Sequence, residues 1–313
     1  MVKPTILKNV SLRPFSTLRA GGPAELFREC CTSEDLMETA SFAQKMGFKS
    51  TVVGSGSNIL PADLGVSGLV ILNRTRSIAI ARNGDVVADS GAGFQELFLK
   101  AAQAGLRGLE FAVGIPGTVG GALVSNAGAY RSCVSEFLTG VEIVENGEAR
   151  WVDPSWMEFS YRDSVFRRPA PPHAVMIRIA MKLPHGEPKK IYDEAREYQR
   201  QRISKQPPSP SAGSFFKNVV DAALAESIPG LTPGMRAAGV VPAGFLIEAA
   251  GLKGFRIGGA MLGVRHANFI LNVAGATATE IRRLARHARE CVFERFGVRL
   301  EEEVLYLGDW TDW

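Results

Sequence analysis

A chain of 313 residues is longer than one hydrophobic core usually serves, so two or three lobes are expected. Hydrophobic residues at 46% and charged residues at 22% suit a packed protein and exclude wholesale disorder. The net charge of +4 is small and its cations are scattered, which excludes the dense basic stripe of a nucleic-acid binder.

Cys30, Cys31, Cys133 and Cys291 have neither metal-ligand spacing nor a disulfide framework, and scattered thiols suit a reducing compartment. His173, His185 and His287 show no ligand pattern either, so no metal is expected. No apolar run is long enough to cross a bilayer, and the first residues lack an apolar signal core. A soluble cytoplasmic protein without a membrane partner is the expectation.

In chain order, Thr32-Ser33-Glu34-Asp35 opens a helix whose apolar face is Leu36, Ala40, Ala43 and Met46, with Gly47 as its stop. Ser50 to Val53 reads as a buried strand running into Gly54-Ser55-Gly56-Ser57-Asn58, and Gly68 to Leu72 as a strand closing a small βαβ lobe. Asn83-Gly84 and Asn146-Gly147 each sit between apolar runs and predict two antiparallel hairpins. Helices are expected over 94–104 and 189–203, and a strand from Met176 to Leu183. Lys205-Gln206-Pro207-Pro208-Ser209-Pro210 is the best linker candidate. Beyond it come helices near 220–227, 244–250 and 278–296, then a strand from Leu300 to Leu307. The last helix opens with the capping box Thr277-Ala278-Thr279-Glu280, and Arg282, Arg283, Arg286 and Arg289 read as its solvated face. Antiparallel hairpins mixed with helices make the class α+β.

Two loops carry the chemistry. Gly54-Ser55-Gly56-Ser57-Asn58 follows a strand, where small residues let backbone N–H groups approach an anion, but it lacks the spacing of a P-loop or a Rossmann fingerprint. Gly114-Ile115-Pro116-Gly117-Thr118-Val119-Gly120-Gly121 holds four glycines in eight positions, an entropic cost that a plain loop does not require. A pyrophosphate and a flat ring would account for it, and so would a tightly packed crossover.

Those two loops, in order with Tyr161-Arg162-Asp163-Ser164, Ala212-Gly213-Ser214-Phe215-Phe216-Lys217-Asn218, Leu246 to Gly254 and Leu300-Glu301-Glu302-Glu303-Val304, resemble the UDP-N-acetylenolpyruvoylglucosamine reductase (MurB) family. The motifs span nearly the whole chain. The resemblance implies a two-lobed FAD-binding region like that of the PCMH and vanillyl-alcohol oxidases, followed by an α+β substrate-binding domain, with lobes at 1–75, 76–205 and 206–313. It implies non-covalent FAD, NADPH as hydride donor and a UDP-sugar whose enolpyruvyl group is reduced, in a protein expected to be monomeric.

The resemblance makes Ser214 the proton donor, with Arg162 against the substrate carboxylate and developing charge, and Glu303 as the third catalytic residue. Lys217 is near enough in sequence to assist Ser214. The cofactor falls to Gly54, Ser55, Gly56, Ser57 and Asn58, and to Gly114, Ile115, Pro116, Gly117, Thr118, Gly120 and Gly121, with Asn126 and Gly128 as flavin neighbours. Lys205 and Asn218 are assigned to the UDP part of the substrate, while packing or a local hydrogen bond is expected for His266. The chain departs from the family pattern in three places. It is short between Arg168 and Ala212, where one branch inserts a Tyr-bearing flap. It is long from Val219 to Pro242, and Ala260 to Arg265 replaces a more polar stretch.

Overall fold

The computed structural model of the chain describes residues 5–310 apart from the side chain of Lys205. Two units emerge, one built from residues up to Val10, Ala24–Gly56 and Ser67–Ser204, the other from Ser11–Pro23, Ser57–Val66 and the chain from Lys205 on.

In the first unit, Asn146 and Gly147 both take positive φ, 54° and 79°, the geometry that turns a strand back with matching twist. They join Leu138–Glu145 to Glu148–Val152, with Glu145 opposite Glu148 and Val141 opposite Val152. The hairpin around Asn83-Gly84 joins Ile78–Ile80 to Asp85–Asp89. Ala174–Lys182 pairs antiparallel with both hairpins and completes a five-stranded sheet.

A second sheet has the order Leu7–Ser11, Pro23–Cys30, Val66–Asn73, Ser50–Val53, its last two strands parallel. The helix Ser33–Lys45 precedes Ser50–Val53 in the order expected, and the link to Val66–Asn73 carries an additional strand, Ile59–Pro61, of the second unit.

Helix Ser33–Lys45 starts where Thr32 Oγ1 accepts from the Asp35 amide at 3.1 Å. Its Leu36, Ala40 and Ala43 share a core with Leu69 and Ile71 of one sheet and Val144, Val175 and Ile177 of the other. Helix Phe94–Gln103 buries Phe94, Leu97 and Phe98 in a larger core with Phe111, Ile143 and Ile179. Each such side chain taken from water contributes about 1.5–3 kcal/mol. Between the two sheets, Ser90 Oγ accepts from Asn73 Nδ2 and donates to the Met176 carbonyl, both at 2.7 Å.

In the second unit, Ser211–Ser214, Phe269–Asn272, Ala260–Leu262 and Arg256–Ile257 form an antiparallel sheet in that order. Helix Ala278–Phe296 buries Ile281, Leu284, Ala285, Ala288 and Val292 in the unit's core. The predicted capping box is present, and Gly297 at φ 68° ends the helix. Asp63, more than two hundred residues earlier, adds a second cap, its carboxylate accepting from the amides of Ala278 and Thr279 at 2.9 and 2.8 Å. Beside it, Ile59–Pro61 pairs in parallel with Leu305–Leu307. The segment Ser11–Pro23 is tied in by Asn272, whose Nδ2 donates to the Leu18 carbonyl at 2.9 Å.

Three expectations are corrected. A short helix, Pro233–Ala237, stands where none was expected; Thr232 caps it and Pro233 fits its first turn. The final strand is confined to Leu305–Leu307, since Glu301 and Glu303 turn their backbones to residues 215–217 instead. Arg282 is not part of a solvated face: its guanidinium lies 4.7 Å from the Tyr306 ring centre and 4.6 Å from that of Trp310.

Candidate active site

The two glycine-rich loops of the first unit lie against each other. A Cβ on Gly54 would stand 2.5 Å from Thr118 Oγ1, and one on Gly120 would stand 2.9 Å from the Ser90 carbonyl oxygen. Close packing inside the protein therefore accounts for these two glycines. Gly56, Gly114 and Gly117 have another reason, positive φ of 65°, 71° and 136°.

Hydrogen bonding narrows which amides of the second loop can meet a ligand. Gly114 N–H donates to Gln95, Ile115 to Ala112, Val119 to Ala92, Gly120 to Ser90, and Gly121 to Thr118 Oγ1. Thr118 pairs with Gly93 between the bonds Phe94–Gly117 and Val119–Ala92. A residue in that position turns its own N–H away from its partner strand. Thr118 is therefore the residue of this loop whose backbone N–H is turned outward.

Asn126 and Gly128 follow. Asn126 takes φ 42°, donates through Nδ2 to the Ser160 carbonyl and accepts at Oδ1 from Ser135. The carbonyls of Asn126 and Gly128 both accept from the Arg162 guanidinium. Arg162 occupies a tight turn in which Ser160 and Asp163 exchange backbone hydrogen bonds at 3.2 Å, and its own φ is 54°. A non-glycine residue there holds a strained backbone, a common mark of functional positions. Ser164, fully buried, anchors the turn by donating to the Val124 carbonyl at 2.7 Å. So the two residues assigned to the flavin also fix the guanidinium assigned to the substrate.

In the second unit, Ser214 ends its strand opposite Phe269, after Gly213 at φ 78° interrupts the pairing. Phe215 and Phe216 are 0% and 1% exposed, so the chain is gripped on both sides. Asn268 frames them: its carbonyl accepts from the Phe215 amide, its Oδ1 from the Phe216 amide, and its Nδ2 donates to the Phe216 carbonyl. On the other edge Glu303 N–H donates to the Phe215 carbonyl at 2.8 Å, which sets the main chain at Glu303 opposite the residue after Ser214. Asn58 then holds Glu303, donating to its carbonyl at 3.1 Å and accepting from the Leu305 amide at 3.0 Å.

Lys217 is buried and its ammonium is paired with the Glu301 carboxylate, so its charge is directed at Glu301 and not at Ser214. Asn218 is exposed, and its Oδ1 accepts from the Ala243 amide at the start of helix Ala243–Ala249. The Lys205 side chain lies outside the described residues. His266 has the local bond expected of it, accepting at Nδ1 from the Asn268 amide at 3.3 Å.

The candidate residues thus fall into two sets. Gly54, Ser55 and Gly56, the loop 114–121, Asn126, Gly128 and Arg162 belong to the first unit. Ser57, Asn58, Ser214, Asn218 and Glu303 belong to the second. Neither glycine loop contains an acidic residue, and the outward amide of Thr118 is suited to a pyrophosphate. The first set fits FAD in the chemistry of its donors.

Comparison with known proteins agrees. A family model described as an FAD binding domain matches residues 24–153, and one described as the UDP-N-acetylenolpyruvoylglucosamine reductase C-terminal domain matches residues 204–307. The UDP-N-acetylenolpyruvoylglucosamine reductase of Synechococcus sp. (strain JA-3-3Ab) is 38% identical over 310 residues, covering 98% of this chain and 93% of its own. That of Rubrobacter xylanophilus is 37% identical over 299 residues, covering 95% and 94%. The crystal structure of the Thermus caldophilus enzyme superposes with a TM-score of 0.75 at 32% identity, over 97% of this chain and 98% of that one. The expected α+β fold, an FAD-binding region followed by the family's C-terminal domain, is the one present. At that identity and coverage, this chain belongs to the UDP-N-acetylenolpyruvoylglucosamine reductase family.

Proposed function

We propose that this chain reduces the enolpyruvyl ether of UDP-N-acetylglucosamine enolpyruvate to UDP-N-acetylmuramate, a step of peptidoglycan precursor synthesis, with non-covalent FAD and with NADPH as donor. The observation that carries the reading is the backbone bond from Glu303 to Phe215, which brings the main chain at Glu303 opposite the residue that follows Ser214. Bound FAD would supply hydride transfer, and Gly117 and Thr118 would hold its pyrophosphate.

Hydride arriving at the substrate's methylene carbon leaves negative charge on the neighbouring carbon and its carboxylate. Arg162, its guanidinium fixed by two carbonyl acceptors, is suited to stabilise that charge. Ser214 would give its hydroxyl proton to that neighbouring carbon. Glu303 would assist this transfer. Lys205 and Asn218 are kept as contacts to the UDP part.

The same reading includes the three-lobe division at 75/76 and 205/206 and a monomer in the cytoplasm. Four free cysteines accord with a reducing compartment. Among the described residues no helix is long and apolar enough to cross a membrane. The test is an absorption spectrum of the purified protein. A yellow flavin band should be bleached by NADPH and restored anaerobically by the UDP-enolpyruvyl sugar. Failure of the sugar to restore the band would end the proposal.

A further inference from the structure

Helix Pro188–Lys205 is strongly charged and mostly exposed, yet in its last turn Arg202 is directed inward. Its Nη2 donates to the Phe111 carbonyl at 3.2 Å, and its guanidinium lies 5.7 Å from the centre of the Tyr130 ring. Its Nε is buried without a hydrogen-bond partner among the described residues. A carbonyl and an aromatic face are its company, and neither is an anion. Cations this far from water are normally paired, because desolvation without an opposite charge is costly.

The surroundings hold this guanidinium in place. Tyr130 stacks on Tyr198 with ring centres 3.7 Å apart and planes within 4°, and its hydroxyl donates to the Tyr198 carbonyl. Tyr130 and Arg131 form the tip of a hairpin between Gly128–Ala129 and Ser132–Cys133, both tip residues with positive φ. Two non-glycine residues in that conformation hold a strained turn. The base of the same hairpin, Gly128, accepts from Arg162. One hairpin therefore carries Arg162 at its base and Arg202 at its tip. Gly114 closes the other side, where a Cβ would come within 3.1 Å of Arg202 Cδ.

We propose that Arg202 is a second anion-binding residue of the substrate site, acting beside Arg162 on an oxyanion, carboxylate or phosphate, of the UDP-enolpyruvyl sugar. The proposal rests on the functional reading above. Two guanidiniums held against one short hairpin, one of them half-buried with no carboxylate partner among the described residues, make a receptor for a doubly contacted oxyanion. Burial, and after it the positive field of Arg162, lowers the hold of Arg202 on its proton, as expected where an anion is lacking.

The test uses the FAD-loaded protein with Arg202→Met and Arg202→Lys. For Arg202→Met the KM for the enolpyruvyl sugar should rise roughly tenfold to hundredfold, with kcat within about threefold. Arg202→Lys keeps the charge without the fork and should fall between, and it carries the test if the methionine variant does not fold. FAD content and the rate of bleaching by NADPH should be unchanged. UDP-N-acetylglucosamine, which has the phosphates but no enolpyruvyl carboxylate, tells the two sources apart as a competitive inhibitor. A Ki that rises with KM assigns Arg202 to a phosphate, and an unchanged Ki assigns it to the carboxylate. An unchanged KM in a folded variant, or a loss confined to FAD retention or thermal stability, would overturn the proposal. Absence of turnover in the unaltered protein would remove the functional reading and this proposal with it.

Discussion

Asn58 donates its side-chain amide to the backbone carbonyl of Glu303 at 3.1 Å, across 245 residues of sequence. The Leu305 amide returns a bond to the Asn58 carbonyl at 3.0 Å, so one residue of a glycine loop sets the path of the chain around Glu303. Removing the amide in Asn58→Ala should cost about 1 kcal/mol of stability. The larger effect should be on kcat, a fall of roughly ten- to hundredfold, because a small misplacement of an assisting group is expensive in rate. Thermal melting and steady-state kinetics check both. A drop in FAD content with unchanged kcat would mean that Asn58 serves the cofactor alone.

The parts of the fold that were legible in the sequence are those whose chemistry is local. Asn146-Gly147 specifies its turn through backbone conformations that few residue pairs tolerate, and Thr277 with Glu280 specifies a helix start within four residues. The parallel pairing of Leu305 with Ile59 leaves no comparable signal, because it joins three-residue strands from distant segments. For the same reason nothing local announced that Ser11–Pro23 and Ser57–Val66 would join the second unit. Ser214 and Glu303, the proposed catalytic residues of the second unit, stand out through motifs. Arg202 does not, because within a charged helix only burial separates it from its solvated neighbours.

Asp63 presents both carboxylate oxygens to the first amides of helix Ala278–Phe296, in addition to the cap from Thr277. Asp63→Ala should lose about 1–2 kcal/mol, from the two acceptors and from the negative charge at the positive end of the helix. For a chain of this size that shifts the melting temperature by roughly 2–4 °C for each kcal/mol. Asp63→Asn retains one acceptor and should lose less. Equal losses in the two variants would show that charge, not hydrogen bonding, is what the helix uses.

The Tyr198 phenol, half-buried and bonded to Glu194, is pushed up to about 12, first by loss of hydration and then by that carboxylate. In the unfolded chain it ionises near pH 10, so between about pH 10 and 12 the folded state holds a proton that the unfolded state has lost. The stability this gives is complete below pH 10 and disappears as pH rises through that window. Glu194→Gln should move the ionisation of Tyr198 downward, read as tyrosinate absorbance during alkaline titration. An unmoved titration curve would place the cause elsewhere.

Gly54 has no positive φ, so its restriction is steric: the missing Cβ would meet Thr118. Gly54→Ala should cost about 1–3 kcal/mol through overpacking and should weaken FAD retention. Thr118→Ala alone should cost about 1 kcal/mol, by removing the side-chain oxygen that accepts from Gly121. Together the two should cost less than their sum by roughly 0.5–1 kcal/mol, because the second substitution clears the clash made by the first. Strict additivity would refute the contact between the loops.

Ser214 is held by its backbone: its pairing with Phe269 and the bonds of Phe215 on both edges are all main-chain. Ser214→Ala should therefore leave stability within about 0.5 kcal/mol of the parent. FAD binding and bleaching by NADPH should persist, because neither uses the serine hydroxyl. Recovery of the flavin band on adding the UDP-enolpyruvyl sugar should slow by roughly 10²–10⁴-fold, the usual contribution of a positioned proton donor. Ser214→Cys offers a thiol proton from the same position and should restore part of the rate. Because Lys217 is committed to Glu301, its conversion to Met should disturb stability more than this step. Wild-type recovery in Ser214→Ala would mean that the proton comes from another group, with Glu303 next to be replaced.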